Sequence, residues 1–149
     1  MLREWEAAAV RLLAQRDHSR RELAQKLRQR FDYDTESLDL LLDRLEAIGY
    51  LDDLRYAQAF IRSSVARGRG SQRVVHDLHE RGVDNSLITQ ALAEADIDWC
   101  ELAREQRIRK FGQALPANYQ ERARQSRFLA GRGFSMDTIK AVFQRFPAE

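Results

Sequence analysis

The chain has 149 residues and a mass of 17.4 kDa, enough for one ordinary core or several small helical units in series, and too little for two large catalytic domains. Apolar residues make up 44% and charged residues 32%, with 7 glycines and 2 prolines, which excludes a collagenous or wholly disordered chain. Because 25 Lys and Arg face 23 Asp and Glu, for a net charge of +2, any basic function must come from where the charges lie rather than from their sum.

Apolar residues recur at helical spacing almost everywhere, and no run alternates long enough for a strand, so the chain reads as all-α. The first helix is expected over Arg3 to Arg16, burying Trp5, Ala8, Ala9, Leu12 and Leu13. Ser19, followed three residues later by Glu22, makes a capping box for a second helix that runs to about Arg30 with Leu23, Leu27 and Phe31 inward. The third, Thr35 to Ile48, presents Leu38, Leu41, Leu42 and Leu45 and ends at Gly49. A fourth, capped by Asp52 or Asp53, carries Tyr56, Ala57, Phe60, Ile61 and Val65 and stops at Gly68-Arg69-Gly70. Ser71 starts a fifth with Val74, Val75 and Leu78, closed by Arg81-Gly82, and a sixth from Asn85 to Ala95 carries Leu87, Ile88, Ala91 and Leu92. The seventh begins near Asp98 with Leu102, Ala103, Ile108 and Phe111 and breaks between Gly112 and Pro116. The eighth holds Tyr119, Ala123, Phe128 and Leu129 up to Gly131-Arg132-Gly133, and the ninth holds Ile139, Val142, Phe143 and Phe146.

The pattern repeats. Leu78, Arg81, Gly82, Val83 and Ile88 match Leu129, Arg132, Gly133, Phe134 and Ile139 at a constant offset of 51 residues, which also relates Leu27 and Arg30 to Leu78 and Arg81. Because the register carries the helix stop as well as the apolar positions, it predicts three tandem three-helix repeats, at residues 1–51, 52–97 and 98–149. Stacked side by side, such repeats make an elongated, solenoid-like body whose extended faces suit extended partners.

Chemistry-bearing side chains are scattered. Cys100 has no second cysteine to pair with, His76 and His79 share a surface helix without a further ligand pair, and the carboxylates are spaced as caps or solvent-facing residues. No catalytic, metal or cofactor site is expected. The opening Met1-Leu2-Arg3-Glu4-Trp5-Glu6 lacks the apolar core of a signal peptide, and no stretch approaches the roughly 20 apolar residues that span a bilayer. The expectation is a cytoplasmic monomer with no membrane contact.

Charge is uneven along the chain, with balances of −1 over residues 1–51, −2 over 52–98 and +5 over 99–149. From Arg104 to Arg132 the cations Arg104, Arg107, Arg109, Lys110, Arg122, Arg124, Arg127 and Arg132 face only Glu105 and Glu121. A subset on one helix face would meet phosphates or an acidic protein surface; otherwise they are an ordinary solvated surface. Arg67-Gly68-Arg69-Gly70 with Arg73 is a second basic candidate, either a contact loop or a plain helix break. It lacks the lysine and flanking strand of a nucleotide-binding loop. Asp52 and Asp53 with Arg55 read first as a cap and dipole pair, and Tyr56, like Tyr50, as a core or inter-unit residue.

The phrases His18-Ser19-Arg20-Arg21-Glu22-Leu23, Gly49-Tyr50-Leu51-Asp52-Asp53, Arg55-Tyr56-Ala57 with Phe60, Gly70-Ser71-Gln72-Arg73, Leu78 to Gly82, Phe128-Leu129 and Arg132-Gly133-Phe134-Ser135 together resemble the RecX family of RecA regulators, over essentially the whole chain. The resemblance implies a small all-helical protein of three tandem three-helix repeats. It also implies a non-enzymatic partner of RecA and of the RecA filament on single-stranded DNA. Inhibition of the recombinase, ATPase and coprotease activities in DNA repair, recombination and the SOS response would follow; weak direct DNA binding is the expectation from the basic C-terminal segment rather than from the resemblance. The alternative from residues alone is a general helical DNA-binding or architectural protein using the basic C-terminal surface.

Overall fold

Short polar residues ahead of several apolar stripes, Ser19, Asp34, Asp52, Asp98, Asn118 and Ser135, start helices by accepting amides of their first turns. The computed structural model describes residues 2–32 and 34–144, and among them the chain forms helices and no strand. In order these are α1 (Leu2–Gln15), α2 (Arg20–Arg30), α3 (Thr35–Ala47), α4 (Asp53–Ala66), α5 (Ser71–Glu80), α6 (Asn85–Ala95), α7 (Trp99–Phe111), α8 (Tyr119–Gly131) and α9 (Met136–Gln144). The Ser19 hydroxyl accepts from the Glu22 amide at 3.1 Å and the Ser19 amide donates to the Glu22 carboxylate at 3.2 Å, completing the capping box. Asp34, Asp98 and Asn118 cap α3, α7 and α8 in the same way, each accepting from an amide three residues on. Phe146, expected inward on the ninth helix, lies outside the described residues.

Two compact units follow from how the helices pack, the first holding residues 1–60 and 78–94 and the second residues 61–77 and 95–149. The division falls inside α4 and α5. In the first unit Trp5, Ala8, Ala9, Leu23, Leu27, Leu38, Leu41, Leu42, Leu45 and Leu51 form one apolar core. In the second, Ala103, Leu129, Phe134, Ile139 and Val142 are buried, with Trp99, Leu102, Phe128 and Phe143 packed against them. Each fully buried leucine contributes about 1.5–3 kcal/mol by leaving water. Tyr119 departs from the expected packing pattern: it is 82% exposed at the first turn of α8.

The 51-residue register reappears as identical hydrogen bonding. At the end of α5 the Gly82 and Val83 amides donate to the carbonyls of His79 and Leu78, and at the end of α8 the Gly133 and Phe134 amides donate to those of Ala130 and Leu129. Gly82 and Gly133 take φ of +80° and +98°, a conformation costly for any residue with a Cβ. Each of these turns then receives the start of an earlier helix. In the first unit the Ser19 hydroxyl donates to the Arg81 carbonyl at 2.7 Å. In the second the Gly70 amide donates to the Arg132 carbonyl and the Gln72 amide to the Gly133 carbonyl, both at 2.9 Å. Both joints span 62 residues between donor and first acceptor, and both are so close that a Cβ on Gly82 would meet Arg21 and one on Gly133 would meet Arg73.

Candidate nucleic-acid and partner interface

Charge separates along the same division as packing. The first unit carries 11 basic and 15 acidic side chains, a balance of −4, and the second carries 14 and 8, a balance of +6. Every basic residue of the two candidate partner-binding clusters belongs to the second unit, and Asp52, Asp53, Arg55 and Tyr56 all belong to the first.

Within the second unit the middle loop and the basic third repeat come together. The Gly70 and Gln72 amides rest on the turn that follows α8, which sets Arg73 against Gly133 and next to Arg132. Gly68, at φ +76°, lies against the buried Gln106 of α7. Arg67 is exposed and Arg69 half-buried. Arg73 pairs with Asp77 at 3.2 Å, Arg104 with Glu101 at 3.3 Å and Arg124 with Glu121 at 2.8 Å. Among the described residues Arg67, Arg69, Arg109, Lys110, Arg122, Arg127 and Arg132 have no carboxylate within ion-pair distance.

Aromatic rings fix several of these cations. Phe111 and Phe128 meet edge to face at 5.4 Å. The Arg124 guanidinium lies 4.9 Å over Phe111, while Lys110 and Arg132 lie 5.8 and 5.5 Å from the centre of Phe128. Arg122 sits 5.0 Å over Phe143 on the other flank of α8. A cation over a ring keeps its donors free for an oxygen ligand while losing less rotamer freedom on binding, because its position is already restricted.

Arg107 corrects the expectation of a solvent-facing set. It is fully buried, donating to the carbonyls of Ala114 and Gln113 and to the Gln125 side chain at 3.3–3.5 Å. Burial, and then the nearby Arg104 charge, lower its pKa. Five residues separate Arg104 from Arg109, which puts them about 140° apart around the helix. The α7 cations therefore do not share one face.

The family-like residues of the first unit make internal contacts. The Asp52 carboxylate caps α4 by accepting the Arg55 amide at 3.0 Å. Asp53 instead reaches α2, accepting the Arg20 amide at 2.8 Å. Burial pushes the Asp53 carboxyl above its ordinary range against the pull of that amide, and Glu46 and Asp84 add to the rise. Arg55 donates to the carbonyls of Gly49 and Tyr50 and to Asp17, holding the turn after α3. Tyr56 is buried and stacks on Phe60 at 6.1 Å; burial and then the Glu22 carboxylate push its hydroxyl up to about 12. Tyr50, expected with Tyr56 as a core or inter-unit residue, is half exposed and so not a core residue. Burial raises Glu22, but the Ser19 amide and Arg16 guanidinium outweigh it and leave the carboxyl below its usual range.

Two residues outside the sequence-derived candidates belong beside the basic set. The helical pattern places Tyr119 among packing residues and does not distinguish Lys140 of α9, yet both line a recess with Arg122 and Phe143. Lys140 is legible as one more cation of the basic third, whereas only the position of Tyr119 off the buried stripe of α8 could flag it.

The fold and this surface define an all-α repeat protein of tandem three-helix domains that carries, among the described residues, no group of side chains able to hold a metal ion. No described helix is long and apolar enough to cross a membrane. Three family models match in series: the first three-helix domain of RecX over residues 7–45, the second over 52–92 and the third over 96–143. The chain belongs to the RecX family. It is 45% identical to "Regulatory protein RecX" of Halorhodospira halophila over 135 residues, covering 91% of this chain and 83% of that one. It is 38% identical to "Regulatory protein RecX" of Salmonella typhimurium over 147 residues, covering 93% and 89%. The crystal structure of RecX from Lactobacillus salivarius shares the fold with a TM-score of 0.81 at 21% identity, over 96% of this chain and 94% of that one.

Proposed function

We propose that this regulatory protein binds RecA and the RecA filament on single-stranded DNA and inhibits its recombinase, ATPase and coprotease activities, acting in the cytoplasm as a monomer and without catalysing a reaction. The observation that carries the reading is the gathering, in the second unit of a RecX-family chain, of seven cations that have no carboxylate partner among the described residues. That unit supplies the electrostatic attraction to a polyanionic filament. The three repeats, taken as residues 1–51, 52–97 and 98–149, give successive contact surfaces for successive filament subunits. Arg67, Arg69, Arg109, Lys110, Arg122, Arg127 and Arg132 are the direct contacts in this proposal, with Arg73, Arg104 and Arg124 exchanging their internal carboxylates for the partner's. Equilibrium binding at fixed salt to free RecA, bare single-stranded DNA and the assembled filament tests it, with strand exchange followed in parallel. Tightest binding to the filament with loss of strand exchange is the expected result. Equal affinity for bare DNA and filament would favour a general DNA-binding protein, for which the +6 balance of the second unit also argues.

A further inference from the structure

Tyr119 opens α8 with 82% of its surface exposed, flanked by the exposed Leu115 and Met136. It forms a wall of two recesses. One, of about 380 Å³, is lined by Leu115, Pro116, Asn118, Tyr119, Arg122 and Phe143. The other, of about 330 Å³, is bounded by Tyr119, Arg122 and Phe143 again, with Met136 and Lys140. Neither lining contains a carboxylate. Arg122 is common to both and is held over Phe143 at 5.0 Å. A ring open to solvent between two recesses, with a positioned guanidinium and an ammonium beside it and no negative charge, has the composition of a site for unpaired nucleobases and their phosphates.

We propose that the α8–α9 surface is a base-stacking seat for single-stranded nucleic acid, with Tyr119 as the platform and Arg122 and Lys140 as the phosphate contacts. This rests on the nucleic-acid part of the proposed function and adds to it a residue and a binding mode. An acidic polypeptide would satisfy the two cations equally well, but it would gain little from a flat aromatic surface reached from two recesses. Stacking accepts any base, so the seat has no sequence preference.

Titration of a fluorescein-labelled oligothymidine with the full chain tests this. Replacing Tyr119→Ala is expected to weaken binding about 5- to 150-fold, Tyr119→Phe to stay within about twofold, and neither to change binding to an abasic oligonucleotide of equal length. Thermal melting controls for folding. Unchanged oligothymidine binding by Y119A, an equal loss on the abasic strand, or displacement of the oligonucleotide by oligoglutamate at matched charge would each overturn the seat, the last in favour of an acidic polypeptide. Strand-exchange inhibition separates the two readings. A wild-type chain that binds oligothymidine through Tyr119 but leaves strand exchange untouched refutes only the filament proposal. A wild-type chain that inhibits strand exchange while Y119A binds oligothymidine normally refutes only the seat.

Discussion

Arg107 and Arg127 lie in neighbouring helices of one repeat with the same side chain, and burial separates what each does. Arg107 is enclosed and donates to Gln113, Ala114 and Gln125, so Arg107→Ala takes a donor from the buried Gln125 side chain and from two loop carbonyls, and opens a cavity. A loss of about 2–5 kcal/mol in denaturant unfolding is expected. Arg127 is exposed, and Arg127→Gln should change stability by less than about 0.5 kcal/mol while weakening filament binding. His18 makes a third case. It is buried, with Nδ1 donating to the Arg16 carbonyl and Nε2 accepting from the Lys26 ammonium at 2.7 Å. Burial lowers its pKa, with the Arg16 and Lys26 charges acting in the same direction and the Arg16 carbonyl and Glu22 against. The unfolded chain therefore takes up a proton near pH 6.5 that the folded chain resists, so stability is full above that value and is lost as pH falls toward the lowered folded value. Denaturant midpoints followed downward through that range should fall less for His18→Gln than for the wild type, and parallel curves would remove His18 from the acid response.

At the level of the element, Asp52 and Asp53 are adjacent in sequence and cap different helices. Asp52→Ala should cost about 0.5–2 kcal/mol through the start of α4. Asp53→Asn keeps an acceptor for the Arg20 amide and relieves the carboxylate's burial, so it should be tolerated better than Asp53→Ala. Unfolding of the three variants checks the ordering. The helix starts were legible because Ser19, Asp52 and Asp98 are short acceptors directly ahead of apolar stripes, a local signal. Which helix Asp53 serves was not, since Arg20 lies 33 residues away in sequence. The burial of Arg107 had a signal that its charge masked: four residues after Ala103, it falls only about 40° from that buried position. Tyr119, six residues before the buried Gln125, falls about 120° from it and so off the stripe. Its exposure fits the periodicity only once Gln125 and Leu129 are known to be the buried positions, and the recesses beside it depend on how α8 and α9 pack.

Across the whole molecule the opposition of −4 and +6 between the units makes salt dependence the most direct readout of which unit meets phosphate. Replacing Arg109, Lys110, Arg122 and Arg127 together with Gln takes the second unit from +6 to +2. Binding to single-stranded DNA should weaken, and the slope of log affinity against log salt should flatten by about 0.7 for each phosphate that is no longer neutralised. Circular dichroism should stay unchanged. If the cations meet acidic RecA side chains instead, filament affinity falls while the slope on bare DNA holds. The linear register of the fold was readable from the spacing of apolar positions and helix stops, and the basic end was readable as the +5 of residues 99–149, while the full opposition of −4 and +6 was not, because the units cut across the middle repeat.

The joint at Gly70 and Gln72 is made of main-chain amides and carbonyls, which every residue other than proline supplies in full. Its specification therefore falls on an absence of atoms more than on the chemistry of side chains. A saturation scan across residues 69–73 and 130–135 should be permissive at most positions and sharply intolerant at Gly70 and Gly133, where even alanine has no room. Apart from the buried Phe134, sequence is free to drift around this joint in charge, size and polarity, provided that two hydrogens stay where two methyl groups would collide.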